Sequence, residues 1–244
     1  MPTSITFFAI RTLPALLLIA LSSTIATAAT TTFSTATGAM NGTENVNASA
    51  MFTTGTGTID IVLSNLLTAA QVHSVGGDIS DLMFTISNSF SGSVSDSNRS
   101  YTGTLVDVDG SGNVTAGSGS FDGWDFSNSG SNFTLEELGS VEAPSQTIVG
   151  GAGATSYPHA VGSIDNGSHD PFLQGSATFH LTGLTGITSG TTITAVTFSF
   201  GTTAGGNITG HPNSTVPEPK ATSALLLGCL AAFAAWRRKK AIAR

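Results

Sequence analysis

Cysteine is almost missing: the 244 residues hold one, Cys229, in an apolar stretch near the C-terminus. The rest of the chain can form no disulfide and has no thiol chemistry, so a core alone must hold it together. Positive charge is nearly as scarce. Of eight Lys and Arg residues, Arg11 lies near the start and Lys220, Arg237, Arg238, Lys239, Lys240 and Arg244 near the end. Between Ala29 and Pro219, Arg99 alone faces all 15 acidic residues, so that stretch carries about −14. Such a surface repels nucleic acid and anionic polysaccharide and attracts divalent cations. Catalytic signatures are missing too. The chain has no Gly-x-Ser-x-Gly, no His-Glu-x-x-His and no Gly-rich phosphate loop.

The two ends are informative. Residues 1–28 have the layout of a secretory signal peptide: Arg11, an apolar core at Leu13–Leu21, and Ala26-Thr27-Ala28 before the cleavage point. The mature chain is expected to start at Ala29. At the other end, Val216-Pro217-Glu218-Pro219 precedes an apolar run, Ala221 to Trp236, and then Arg237-Arg238-Lys239-Lys240. As a helix that run reaches roughly 24 Å, short of the ~30 Å hydrocarbon core. Snorkelling by Lys220 and the basic cluster covers part of the deficit. The cations fix orientation, with the cluster cytoplasmic and Pro219 outside. Each proline fixes its own φ and keeps its predecessor extended, so the motif is stiff.

Motif, apolar helix and terminal basic cluster together resemble the PEP-CTERM sorting signal of Gram-negative bacteria. The resemblance covers residues 216–244; Lys220 departs from the small or apolar residue more usual there. It implies the general secretion machinery and an exosortase as partners. The exosortase would remove the helix and pass the protein to the cell surface or extracellular layer. The stretches Ile59–Leu67, Asp170-Pro171-Phe172-Leu173 and Phe198–Thr203 are similar to a recurrent passenger found ahead of such tails. That likeness implies a common fold and brings no activity.

Between the ends the composition is that of strands: rich in Thr, Ser, Gly and Asn, with turn clusters about every ten residues. Alternation predicts strands at Thr58–Leu63, Leu82–Ile86, Tyr101–Val108, Asn113–Ala116, Phe133–Leu138, Ala177–Leu181 and Thr194–Phe200. In the last, Val196, Phe198 and Phe200 share a face. Asn65–Val72 reads as a two-turn helix ended by Gly76-Gly77. The expected fold is all-β: a single antiparallel β-sandwich or jelly roll at 29–203. It lies between the signal peptide and a short transmembrane helix, with 204–215 as linker to the motif.

Four places within the passenger bear on chemistry. Asp107, Asp109, Ser111 and Asn113 have the spacing of the first half of an EF-hand-type loop, making calcium the one cofactor suggested. Ser118 stands where the bidentate Glu belongs, and Asp109-Gly110 equally suits a hairpin turn. Trp124, flanked by Asp122 and Asp125, is either a sugar-stacking platform or a core anchor. His159, Asp165, His169 and Asp170 share a Gly-rich loop without metal-ligand spacing. Glu136 and Glu137 are neighbours on a strand and point apart, so they form no glycosidase pair; His180 reads as a satisfied strand histidine. Asn-x-Ser/Thr sequons, Asn41 among them, reflect the composition. The expectation is a non-enzymatic surface or matrix protein with a structural or adhesive role; a carbohydrate-binding module and a polysaccharide hydrolase are the alternatives.

Overall fold

The computed structural model describes residues 29–138, 145–202 and 207–213. The expected signal peptide, the expected sorting motif, the apolar run and the basic cluster lie outside the described residues. What is described is all-β, with fifteen strands and no α-helix. In chain order they are β1 (Ala29–Ser34), β2 (Met40–Asn41), β3 (Glu44–Asn45), β4 (Ala48–Gly55) and β5 (Thr58–Asn65). Then come β6 (Ile79–Ile86), β7 (Arg99–Val108), β8 (Val114–Ala116), β9 (Asp125–Ser129) and β10 (Asn132–Glu136). The rest are β11 (Ile148–Val149), β12 (Phe172–Leu181), β13 (Ile193–Phe200), β14 (Asn207–Thr209) and β15 (His211–Pro212).

Thirteen strands join in one mixed sheet; β2 and β3 form a separate hairpin. Its pairings fall into two branches. One runs β14–β13–β6–β10–β9 and the other β15–β1–β4–β5–β12–β7–β8. The two-residue strand β11 belongs to both: Ile148 pairs antiparallel with Ile79 of β6 and parallel with Leu173 of β12. Every other ladder is antiparallel.

Strand alternation determines what is buried. On β5, Ile59, Ile61 and Leu63 are fully covered while Thr58, Asp60 and Val62 face outward. On β13, Val196, Phe198 and Phe200 are buried, as their shared face requires. Both branches contribute to one apolar cluster. In it the Phe52 ring of β4 meets Phe84 of β6 with centroids 5.2 Å apart, and Phe84 stacks on Phe133 of β10 at 5.3 Å. Burying each such ring stabilises the fold by roughly 1.5–3 kcal/mol. A smaller cluster, including Val106, Tyr157 and Phe172, lies under the loops at one end.

Two expectations need correcting. Asn65–Val72 is not a helix: Asn65 ends β5, and Thr68–Gln71 makes only a turn. The Asn65 side chain donates to Gly77 O and Ile148 O, both at 2.9 Å, and accepts from Leu67 N at 3.1 Å. A buried asparagine with three backbone partners fixes the segment more firmly than the weak propensity of a short apolar run. In the stretch expected as linker, residues 207–213 are paired. β14 lies on β13, β15 lies on β1, and Asn213 N donates to Thr32 O at 2.8 Å.

Candidate functional site

Val216, Pro217, Glu218, Pro219 and the basic residues Arg237, Arg238, Lys239 and Lys240 lie outside the described residues. The sites expected inside the passenger are all described.

Asp107 and Asp109 sit at the β7–β8 hairpin, which is built as a turn. Asp109 Oδ1 accepts from the backbone N of Ser111 and of Asn113, each at 2.9 Å, and Oδ2 accepts from Asn113 Nδ2 at 3.0 Å. These donors, the Asn113 amide first, hold the carboxyl below its ordinary value. Gly112 takes φ +73°, and a Cβ there would come within 2.5 Å of Tyr157 O, so glycine is required. Of the four side chains that suggested a calcium loop, those of Asp109 and Asn113 are thus engaged with one another. Asp107 lies in β7 opposite Thr115.

Trp124 is a core residue and offers no face to a sugar. It is 0% exposed, Nε1 donates to Gln146 O at 2.9 Å, and the ring meets Phe179 edge-on at 5.1 Å. Asp122 accepts from Ser120 Oγ at 2.7 Å, and Asp125 lies 3.9 Å from Arg99. Arg99 also stands 3.7 Å from Asp96, donates to Asp122 O, and covers the Tyr101 ring at 5.4 Å. The Arg99 guanidinium therefore lies between the carboxylates of Asp96 and Asp125 and against the Asp122 backbone. Beneath it Gln146 holds a left-handed φ of 62°, a strained position for a side chain other than glycine. Its partners explain why it persists: it accepts from Tyr101 Oη at 2.6 Å, and its Nε2 donates to Ser120 O at 2.8 Å.

Sequence reasoning missed a group of acids, two of them buried, beside β6 and β10. Glu137 follows β10 and is buried, with Oε1 accepting from Ser145 N and Oε2 unpartnered. Burial pushes this carboxyl up to about 9, assisted by the nearby charges of Asp81 and Asp125. Asp81 accepts from the backbone N of Glu137 and Leu138, at 3.2 and 3.4 Å, and burial raises it as well. Asp78, just before β6, is buried with both oxygens unpartnered. The Thr147 hydroxyl faces Asp78 outside hydrogen-bonding geometry, and burial pushes the acid well above the ordinary range. At neutral pH Glu137 holds its proton. The burial of Glu137 and Asp78 ties their protonation to the stability of the fold. Only the register of β6 and β10, which pairs Asp81 with Glu136, could have revealed the group.

The loop histidines do not assemble a centre. His159 is exposed, and Asp170 Oδ1 accepts from Val108 N at 3.1 Å. Among the described residues, no three His, Cys, Asp or Glu side chains converge to hold a metal. His180 is exposed on the outer face of β12, where Nδ1 contacts Asp60 Oδ1 directly. Ser100 stands opposite His180 on β7, giving a Ser–His–Asp row across three strands. The row lies open on a sheet face, with His180 Nδ1 on Asp60 and, among the described residues, no hydrogen bond between Ser100 and the ring.

No family model, curated protein or solved structure matches this chain.

Proposed function

We propose that this is an exported protein, sorted by a PEP-CTERM-type tail, that resides at the cell surface or in the extracellular polymer layer with a structural or adhesive role. One observation carries the reading. A motif of two prolines, an apolar run and a cationic stop lie in order at residues 216–244, after a passenger whose last pairing among the described residues is at Asn213. The passenger suits that destination. It has no thiol to oxidise, a strongly acidic surface, and outward strand faces rich in hydroxyls.

The two branches of the sheet are, in this reading, the layers of a sandwich. Supporting this are the Phe52–Phe84 contact between branches, the alternating burial on each, and the placement of β11 at the corner. The test of function is Glu218→Ala in the native host. The variant is expected to remain in the inner membrane with its tail attached. Unchanged surface delivery and an unchanged mature mass would remove the sorting reading.

A further inference from the structure

Strand register lines up three acids on one outer face. Asp81 of β6 stands opposite Glu136 of β10, and Glu136 stands opposite Asp125 of β9. Paired residues share a face, so the three carboxylates form a row across three strands, about 10 Å long at ~4.8 Å per strand. Like charges placed directly opposite one another are unfavourable. The effect reaches Glu136, whose carboxyl is raised by burial and further by the charges of Asp81 and Asp125. Arg99 is the one Lys or Arg among the described residues, and its ion pairs are with Asp96 and Asp125. Asp81 and Glu136 are thus left without a Lys or Arg partner among the described residues. The other branch differs: β1, β4, β5 and β12 hold one acid between them, Asp60, and it contacts His180.

The row borders a hollow of about 220 Å³ on the same face, whose outward lining is Met83, Thr85, Asn132, Thr134, Ala195 and Thr197. Met83 is 37% exposed and gives it an apolar centre. A bulge at Thr194, between the Ile193–Ile86 and Ala195–Thr85 pairs, bends β13 beside it. β6, β10 and β13 each have a strand on both sides. Their backbone groups are therefore occupied, and a ligand on this face meets hydroxyls, an amide and a thioether. A basic peptide would find open backbone at the edges instead, along β9 and β14.

We infer that this face binds a glycan bearing amino groups, a polymer of amino sugars, with its ammonium groups along Asp81, Glu136 and Asp125 and a sugar ring over Met83. The acids attract a cationic chain and repel an anionic one. They lie in a line, and among the described residues no three converge to hold a metal, so spaced charges suit the row better than one ion. The hydroxyl lining suits a hydroxylated ligand. The inference rests on the adhesive reading above for where such a glycan is met.

The experiment is titration calorimetry on the full chain in non-ionic detergent micelles, with a glucosamine hexamer as probe. Binding is expected, and it should weaken as salt is added. The N-acetylated hexamer, which lacks the charges, should bind roughly tenfold more weakly. Glu136→Gln should weaken the glucosamine hexamer about fivefold. Thr134→Arg, which fills the hollow and adds a cation, should abolish binding, and Asp60→Asn on the other branch should leave it unchanged. Absence of binding, or binding indifferent to both Glu136→Gln and Thr134→Arg, overturns the inference. A lysine hexamer that binds as tightly and is equally lost in Thr134→Arg overturns it in favour of a basic peptide. Either failure leaves the sorting reading standing, since that is decided by Glu218→Ala in the host.

Discussion

Glu137 sets a pH dependence whose size can be worked out in advance. Its carboxyl is held at about 9 in the folded chain, against an ordinary value of 4.5. Between those values the folded state keeps a proton that the unfolded state has lost. Stability therefore falls as pH rises, by about 1.4 kcal/mol per pH unit from this group alone. From pH 6 to pH 8 the loss is roughly 3 kcal/mol, which lowers the melting temperature by roughly 6–12 °C for a domain of this size. Glu137→Gln reproduces the neutral side chain and still offers an oxygen to Ser145 N. Wild type and variant should melt alike near pH 5 and diverge steadily above it, the variant becoming the more stable. Asp78 and Asp81 are also raised by burial and leave a residual slope in the variant. The assay is thermal melting followed by circular dichroism at fixed ionic strength. Parallel slopes for the two proteins would refute the claim that Glu137 is folded in its neutral form.

Three further outcomes follow from the geometry. Arg99→Gln removes the one cation set between Asp96 and Asp125 and over Tyr101. It should cost about 1–3 kcal/mol in urea unfolding, since its acid partners are partly exposed; an unchanged midpoint would contradict this. Trp124→Ala opens the core and should cost roughly 3–5 kcal/mol. In the intact passenger, Trp124 emission should be blue-shifted and indifferent to oligosaccharides, so a glycan-dependent shift would contradict its enclosure. Calcium and sodium at matched ionic strength should raise the melting temperature equally, because Asp109 already accepts three N–H donors. A calcium-specific rise lost in Asp107→Ala with Asp109→Ala would show a site there.

The strands that were legible in the sequence are those whose inward positions carry large side chains. Ile59, Ile61 and Leu63 announce β5, and Val196, Phe198 and Phe200 announce β13. β4 was not legible, because its inward residues are Ala48, Ala50, Phe52 and Thr54, and three of the four are small or polar. β11, β14 and β15 have two or three residues each, too few to show a period. Their existence depends on the partner strand. The apparent helix after Asn65 failed for a related reason, since a local pattern carried no sign of the bonds from Asn65 to Gly77 and Ile148.

Site residues divide in the same way. The Asp-Gly turn at Asp109-Gly110 is local chemistry, and its turn reading could be made from spacing alone. Whether Trp124 was anchor or platform depended on Phe179 and Gln146, which lie far along the chain or outside its pattern. The buried acids were invisible for want of register. Asp81, Glu137 and Asp78 look like ordinary surface carboxylates until β6, β10 and β11 are laid side by side. The His180–Asp60 contact, 120 residues apart, likewise exists only through the β5–β12 ladder.

The central claim is that the chain is a passenger delivered by its two ends, and the mass of the mature protein tests it most directly. Protein recovered from the cell surface or medium of the native host should begin at Ala29 and end upstream of Ala221, without the apolar run to Trp236. A protein found only in the inner membrane, with an intact mass extending to Arg244, would contradict the account.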